Sequence, residues 1–215
     1  MRAEVHESAH LHVSGEALYC DDVPLPEGTL HAAIGVSEKA HARLRHVDLA
    51  AVRAAPGVVA VLTAADVPGD NNHGPIVHDD PIFAVDLVEY AGQSIFAVIA
   101  TSVDAARRAV RLARIDYEEL EPILDAATAL ERQSFVMPTR TLARGEPATR
   151  IRSAPHRLTG AFDVGGQEHF YLEGQVGFAV PGEDRTMHVV SSVCSKRAAR
   201  PRIIRCWRRC RKPRI

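Results

Sequence analysis

Gly165-Gly166-Gln167-Glu168-His169-Phe170-Tyr171-Leu172-Glu173-Gly174 gathers residue types that could grip a ligand. Two adjacent glycines let the backbone come close to something bulky, or take positive φ, with no side chain in the way. Gln167 beside them carries a neutral amide that both donates and accepts hydrogen bonds. The carboxylates of Glu168 and Glu173 and the aromatic pair Phe170-Tyr171 follow, with Phe170, Tyr171 and Glu173 reading as packing and hydrogen-bond framework. A bare Gly-Gly-Gln is equally a turn, so the chemistry depends on what surrounds it.

Other groups with ligand chemistry are scattered. His6, His10 and His12 could form a metal-binding arm, but metal ligands need convergent placement and supporting hydrogen bonds, and a solvated leader explains them more simply. Asp21-Asp22 precedes Pro24-Leu25-Pro26, where aspartates form turns by bonding nearby backbone. His73, His78, Asp79 and Asp80 lie in a Pro/Gly/Asn-rich stretch that reads as an exposed loop. Arg107, Arg108, Arg111 and Arg114 could bind an anion, and read as the solvated face of a helix. Cys20 is the one cysteine before residue 194, and no Cys-x-x-Cys occurs, so neither an intrachain disulfide nor an iron–sulfur or structural zinc site is supported in the body.

The elements that must position these residues follow from local pattern. Leu30–Val36 reads as a short buried strand, and Leu49–Ala55 as a short helix with Asp48 at its N-cap, ended by Pro56-Gly57. The β-branched run Val58–Thr63 predicts an interior strand. Ser94–Ala100 is the clearest strand of the chain. Thr101-Ser102 then caps a helix over Val103–Ala113, with Val103, Ala106, Val110 and Ala113 on its apolar face. Ile115–Leu120 follows as a strand, so strand, helix and strand suggest a βαβ-type unit. Residues 124–157 are rich in proline and glycine and predict a linker arm with a helical turn near Asp125–Leu130. Leu158, Gly160 and Phe162 alternate as in a strand, and Val176–Val180 with Thr186–Val190 predicts a hairpin. The segment 158–192 holds about 35 residues, too few for a core of its own.

Composition splits the chain. Overall it is ordinary for a globular protein, with 46% hydrophobic and 25% charged residues and a net charge of −1. Ten of the 26 Lys/Arg fall in residues 193–215, which contain no acid, leaving 16 bases against 27 acids over residues 1–192. That acidic body argues against nucleic acid or an anionic membrane as partner. No apolar run reaches the roughly 18 residues of a membrane span, and Met1–Glu7 lacks the apolar stretch of a signal peptide. A cytoplasmic protein is expected. The domain organisation read this way is a leader (1–13), an α/β domain (14–123), a linker arm (124–157), the start of a second domain (158–192) and a basic tail (193–215).

Several stretches together resemble the molybdenum-binding subunit of the xanthine dehydrogenase and aldehyde oxidase family. They are Glu7–Ala17 with Tyr19 and Asp21-Asp22, the loop Pro68–Pro81, Gly92-Gln93 with the strand and helix after it, Asp116-Tyr117-Glu118, and Gly165–Glu173. The resemblance implies an α/β (α+β) fold: the family's α/β hammerhead domain, then the opening of a molybdopterin-binding domain. It implies molybdenum–molybdopterin as cofactor. Gln167 is the residue it places against the molybdenum centre, through a hydrogen bond to an oxygen ligand that a neutral amide can donate without displacing it. The implied activity is xanthine dehydrogenase: oxidative hydroxylation of hypoxanthine and xanthine to urate in purine catabolism. Electrons leave through iron–sulfur clusters and FAD, carried on a partner subunit, to NAD. No essential catalytic acid of that reaction is assignable in this chain.

The resemblance stops after Ser192. The basic tail that follows, with Cys194, Cys206, Cys210 and Trp207, has the composition that out-of-frame reading of a GC-rich gene produces. The expectation is a frameshifted, truncated subunit of a split-subunit enzyme, inactive alone. Three alternatives stand beside it: a tail that binds nucleic acid through phosphates, a noncatalytic hammerhead module that binds a partner subunit, and an aldehyde oxidase-type substrate preference.

Overall fold

The computed structural model describes residues 8–74, 77–168, 170, 174–183, 186–192 and 202–205. They divide into two compact units, Met1–Glu121 with Tyr171–Ile215, and Pro122–Phe170.

The first described element is helix α1 (Ala9–Ser14), which buries no residue, in keeping with the solvated leader expected there; residues 1–7 lie outside the described residues. Strands β1 (His31–Val36), β3 (Val58–Leu62) and β5 (Ser94–Ala100) form one antiparallel sheet in the order β1-β5-β3. Strands β2 (Ala42–Asp48), β4 (Leu87–Val88) and β6 (Arg114–Glu119) form another, in the order β4-β2-β6.

Helix α2 (Ala50–Arg53) connects β2 to β3, and α3 (Val103–Val110) connects β5 to β6. Ser102 Oγ accepts the Ala105 N–H at 3.1 Å, the predicted cap of α3; the N-cap of α2 is Leu49 rather than the expected Asp48, whose Oδ1 accepts the Ala50 N–H at 2.9 Å from one residue earlier. The core joins Ala42, Leu49, Val52, Val61, Phe96 and Val98 with Ala109 of α3, drawing on both sheets and both helices.

Several expectations are corrected. β1 is mostly half-exposed rather than buried, because it is a sheet edge with one face outward. β3 is also an edge strand and not an interior one; β5 holds the centre, which is why its residues are almost all buried. β5 and β6 lie in different sheets and every pairing is antiparallel, so no βαβ unit forms. Of the apolar face predicted for α3, Ala106 is buried and Val110 and Ala113 pack against the core, but Val103 is exposed and the buried face is completed by Ala105 and Ala109. Alanines let the helix approach Ala33 and Ala100 of the sheet closely, and that proximity outweighs the larger valine at the helix start. Strand β2 was not foreseen. Arg43, Arg45 and His46 mask its alternation, and a register shift between Leu44 and His46 breaks the period. Its outer face carries charges matched across the ladder, with Arg43 opposite Glu118 and Asp48 opposite Arg114.

Strands β7 (Gly177–Pro181) and β8 (Thr186–Ser191) form the predicted hairpin. A third strand, β9 (Arg202–Arg205), pairs with β8 antiparallel. Those four residues of the basic tail are thus part of a sheet; the rest of 193–215 lies outside the described residues.

The second unit contains α4 (Ala126–Glu131) and α5 (Pro147–Ser153), neither with a buried residue. The Asp125 carboxylate caps α4, accepting the Thr128 N–H and hydroxyl at 2.8 Å each. Helix α5 was not predicted; Pro147 at its first turn, where no N–H partner is needed, explains its start. The strand expected around Leu158–Phe162 is not paired, and residues 157–168 carry no regular secondary structure.

Candidate functional site

Gln167 lies in that irregular run, exposed to solvent, and its amide makes no hydrogen bond among the described residues. Gly165 and Gly166 keep negative φ, and a Cβ added at either would meet nothing within 4 Å. Neither glycine is therefore demanded by a turn or by packing within this chain; together they leave a strip of bare backbone open on one side. Phe170 takes φ 51, left-handed for a non-glycine residue, and its N–H reaches Glu168 Oε1 at 3.4 Å. His169, Tyr171, Leu172 and Glu173 lie outside the described residues.

The other candidates resolve into structural roles. Asn71 clasps the loop that follows β3. Its amide nitrogen donates to the Phe83 carbonyl at 2.7 Å while its oxygen accepts the Phe83 N–H at 3.0 Å. His73 and Asp80 close the same loop, by the His73 N–H to the Asp80 carbonyl at 3.0 Å and Nε2 to Oδ1 at 3.3 Å. His78 and Asp79 are exposed and take no part. Asp22 accepts the Tyr19 N–H at 2.9 Å, the turn role expected of it. His12 sets its ring edge-on to Tyr19 at 6.1 Å; His6 lies outside the described residues. Arg108 pairs with Asp104 one turn earlier on an exposed face, as a solvated helix would.

Gly92-Gln93 is also architectural. Gly92 takes φ 93, which glycine alone adopts freely, and turns the chain so that Ser37 N–H reaches the Gln93 carbonyl at 2.8 Å. The buried Gln93 side chain accepts the Glu89 N–H at 2.7 Å. Neither the Asn71 clasp nor the Gln93 anchor was legible in sequence, because each amide's partner is a backbone group fixed only once the loop has closed.

Among the described residues, no three His, Cys, Asp or Glu converge on a point where they could hold a metal ion. The donors present at Gly165–Glu168 suit a group that arrives with its metal already ligated: open backbone for close approach, and a free neutral amide that can bond an oxygen on it. They do not suit direct ligation. Nor is any helix among the described residues long and apolar enough to cross a membrane.

Comparison with known proteins agrees with this arrangement. The family description "Aldehyde oxidase and xanthine dehydrogenase, a/b hammerhead domain" matches residues 14–121, and "Molybdopterin cofactor-binding domain" matches residues 130–208. A xanthine dehydrogenase/oxidase of Gallus gallus is 41% identical over 192 residues, 89% of this chain and 14% of that protein. Aldehyde oxidase 3 of Rattus norvegicus is 39% identical over 193 residues, again 89% of this chain and 14% of the relative. The aldehyde oxidoreductase of Desulfovibrio gigas superposes with a TM-score of 0.72 at 28% identity, covering 86% of this chain and 23% of that one. The chain thus spans only a small part of its relatives' length. The bare backbone at Gly165-Gly166 and the free amide of Gln167 fall within the matched cofactor-binding region, and the two antiparallel sheets with α2 and α3 fill the hammerhead match. The chain belongs to the aldehyde oxidase and xanthine dehydrogenase family, and joins that family's α/β hammerhead domain to the start of its molybdopterin cofactor-binding domain.

Proposed function

We propose that this chain forms part of the molybdenum-binding portion of a xanthine dehydrogenase, with Gln167 as its contact to the cofactor. The observation that carries the reading is the unbonded, exposed amide of Gln167 beside Gly165-Gly166, within residues matched by the cofactor-binding domain. Molybdenum–molybdopterin, when bound, supplies the oxygen-transfer and two-electron chemistry that side chains lack. The chain's own part is to orient. The two glycines allow close approach, and the Gln167 N–H holds an oxygen of the cofactor in place without contributing charge. Purine hydroxylation, with electrons passed to an FAD/iron–sulfur partner and on to NAD, is the activity we assign to the assembled enzyme. Identities of 41% to a xanthine-oxidising relative and 39% to an aldehyde-oxidising one support the family more than the choice between substrates.

The test is Gln167→Ala in the assembled, molybdenum-loaded enzyme, scored for metal content and for kcat/KM on xanthine and on an aromatic aldehyde. The expected result is a loss of about 10–100-fold in activity or metal affinity, with xanthine the better substrate of the parent. Unchanged kinetics and unchanged metal content would overturn the role of Gln167. A parent enzyme that prefers the aldehyde would overturn the substrate.

A further inference from the structure

Two described residues other than glycine hold positive φ, Gln133 at 54 and Phe170 at 51. Gln133 has a plain cause. It follows α4, where the Gln133 N–H reaches the Leu130 carbonyl at 3.1 Å and the Ser134 N–H the Ala129 carbonyl at 2.9 Å, the paired bonds that close a helix through a left-handed residue. No helix precedes Phe170, since residues 157–168 carry no regular secondary structure. Packing does not draw it there either, because the residue is 91% exposed. Left-handed backbone is disfavoured for a bulky side chain. What meets Phe170 is the Glu168 carboxylate, whose Oε1 accepts the Phe170 N–H at 3.4 Å. Among the described residues this is the only hydrogen bond made from Gly165 to Phe170. Costly backbone that no helix end or packing requires concentrates where a site needs it, and Gln167 is next to Glu168 in the chain.

We propose that Glu168 is a positioning residue for Gln167. By accepting the Phe170 N–H, its carboxylate holds a left-handed turn directly after Gln167 and so presents the Gln167 amide to the cofactor in one orientation. Two physical needs are met at once. Gly165 and Gly166 have open space around them and lend Gln167 no support from the N-terminal side, so restraint has to come from the residues after it. An ionised carboxylate only accepts hydrogen bonds, so a free one beside Gln167 competes with the cofactor's oxygen for the amide N–H. Engaged on the Phe170 N–H, it is drawn off that competition. The role therefore belongs to the acceptor oxygen of Glu168 and to the backbone of Phe170, and not to the Phe170 ring. This inference rests on the proposed contact between Gln167 and the cofactor, and adds which neighbour orients it.

Paired variants in the assembled, molybdenum-loaded enzyme test this, with kcat taken per loaded molybdenum. Glu168→Gln keeps an acceptor oxygen and stays within about twofold of the parent, whereas Glu168→Ala lowers kcat about tenfold with KM for xanthine unchanged. Phe170→Gly takes positive φ freely and stays within about twofold. Phe170→Val, β-branched and averse to positive φ, loses about tenfold. Packing by the Phe170 ring would reverse that last order, valine outperforming glycine, and would overturn the proposal. Equal losses in Glu168→Gln and Glu168→Ala would overturn it too. A second readout needs no turnover. NMR scalar couplings and Cα shifts of Phe170 in the chain itself are expected to report positive φ in the parent and in Glu168→Gln, and its loss in Glu168→Ala. Positive φ that survives Glu168→Ala overturns the proposal, however well the variants load. Gln167→Ala separates the two claims. If it is impaired and Glu168→Ala is not, the positioning role alone fails. If it is silent, the proposed contact fails, and the couplings decide by themselves whether Glu168 holds the turn.

Discussion

Phe96 lies over Gly35 across the β1–β5 ladder, and a Cβ on Gly35 would stand 2.1 Å from Phe96 Cε1. The ring is 1% exposed, so the side chain that fills the core uses the space a larger residue at position 35 would occupy. Gly35→Ala is expected to destabilise the hammerhead domain by about 1–3 kcal/mol or more through overpacking. Urea denaturation measures it. Combined with Phe96→Leu, the cost should be less than additive; strict additivity would show that the two residues do not share the space.

The Asn71 clasp gives a second expectation. Asn71→Ala removes both partners of the Phe83 backbone amide, leaving a half-buried N–H and C=O unpaired at a cost of about 1–3 kcal/mol. Amide exchange should rise at Phe83 and around His73–Asp80 and stay unchanged in β6. Uniform loosening of the whole domain would contradict a local clasp.

Tyr117 Oη is buried with no hydrogen-bond partner among the described residues. Tyr117→Phe removes that unpaired hydroxyl and keeps the ring packed against the core, so thermal denaturation should find the variant equal to or more stable than the parent, by up to about 1 kcal/mol. A clear loss of stability would reveal a partner that the hydroxyl finds in solution.

Two carboxylates carry a pH signature. Hydrogen bonds from the backbone and hydroxyl of Thr63 hold Asp66 below the ordinary carboxylate value, and those of Thr128 do the same for Asp125. A depressed folded pKa means that the stabilisation is present above the ordinary value of about 3.9 and is lost as pH falls through the folded value. Carbon-detected NMR titration should place both midpoints below the ordinary aspartate value. Asp125→Asn should keep a cap on α4 and abolish its acid-dependent fraying; fraying that persists unchanged would assign it to another group.

The parts of the fold readable from sequence were those set by neighbours along the chain. β5 was legible because its residues are apolar on both faces, and the Ser102 cap because it bonds a backbone N–H three residues on. The β7–β8 hairpin needs only two alternating runs and a turn. The Gly165–Gly174 stretch likewise carried the family, since its residue types and order are themselves the signature. Pairing was not readable. Local period does not say which edge a strand will find, so β3 was taken for an interior strand, β5 and β6 for members of one sheet, and the charged β2 for no strand at all. The inward face of α3 was set by how closely alanines let it approach β1 and β5. The contact of Phe96 with Gly35 and the Asn71 and Gln93 anchors join residues distant in sequence or loops closed by other elements. Tertiary structure alone decided these, because each depends on a distance that exists only once the core has formed. For Gln167, sequence supplied the amide and the bare backbone beside it, and the fold left both open to solvent.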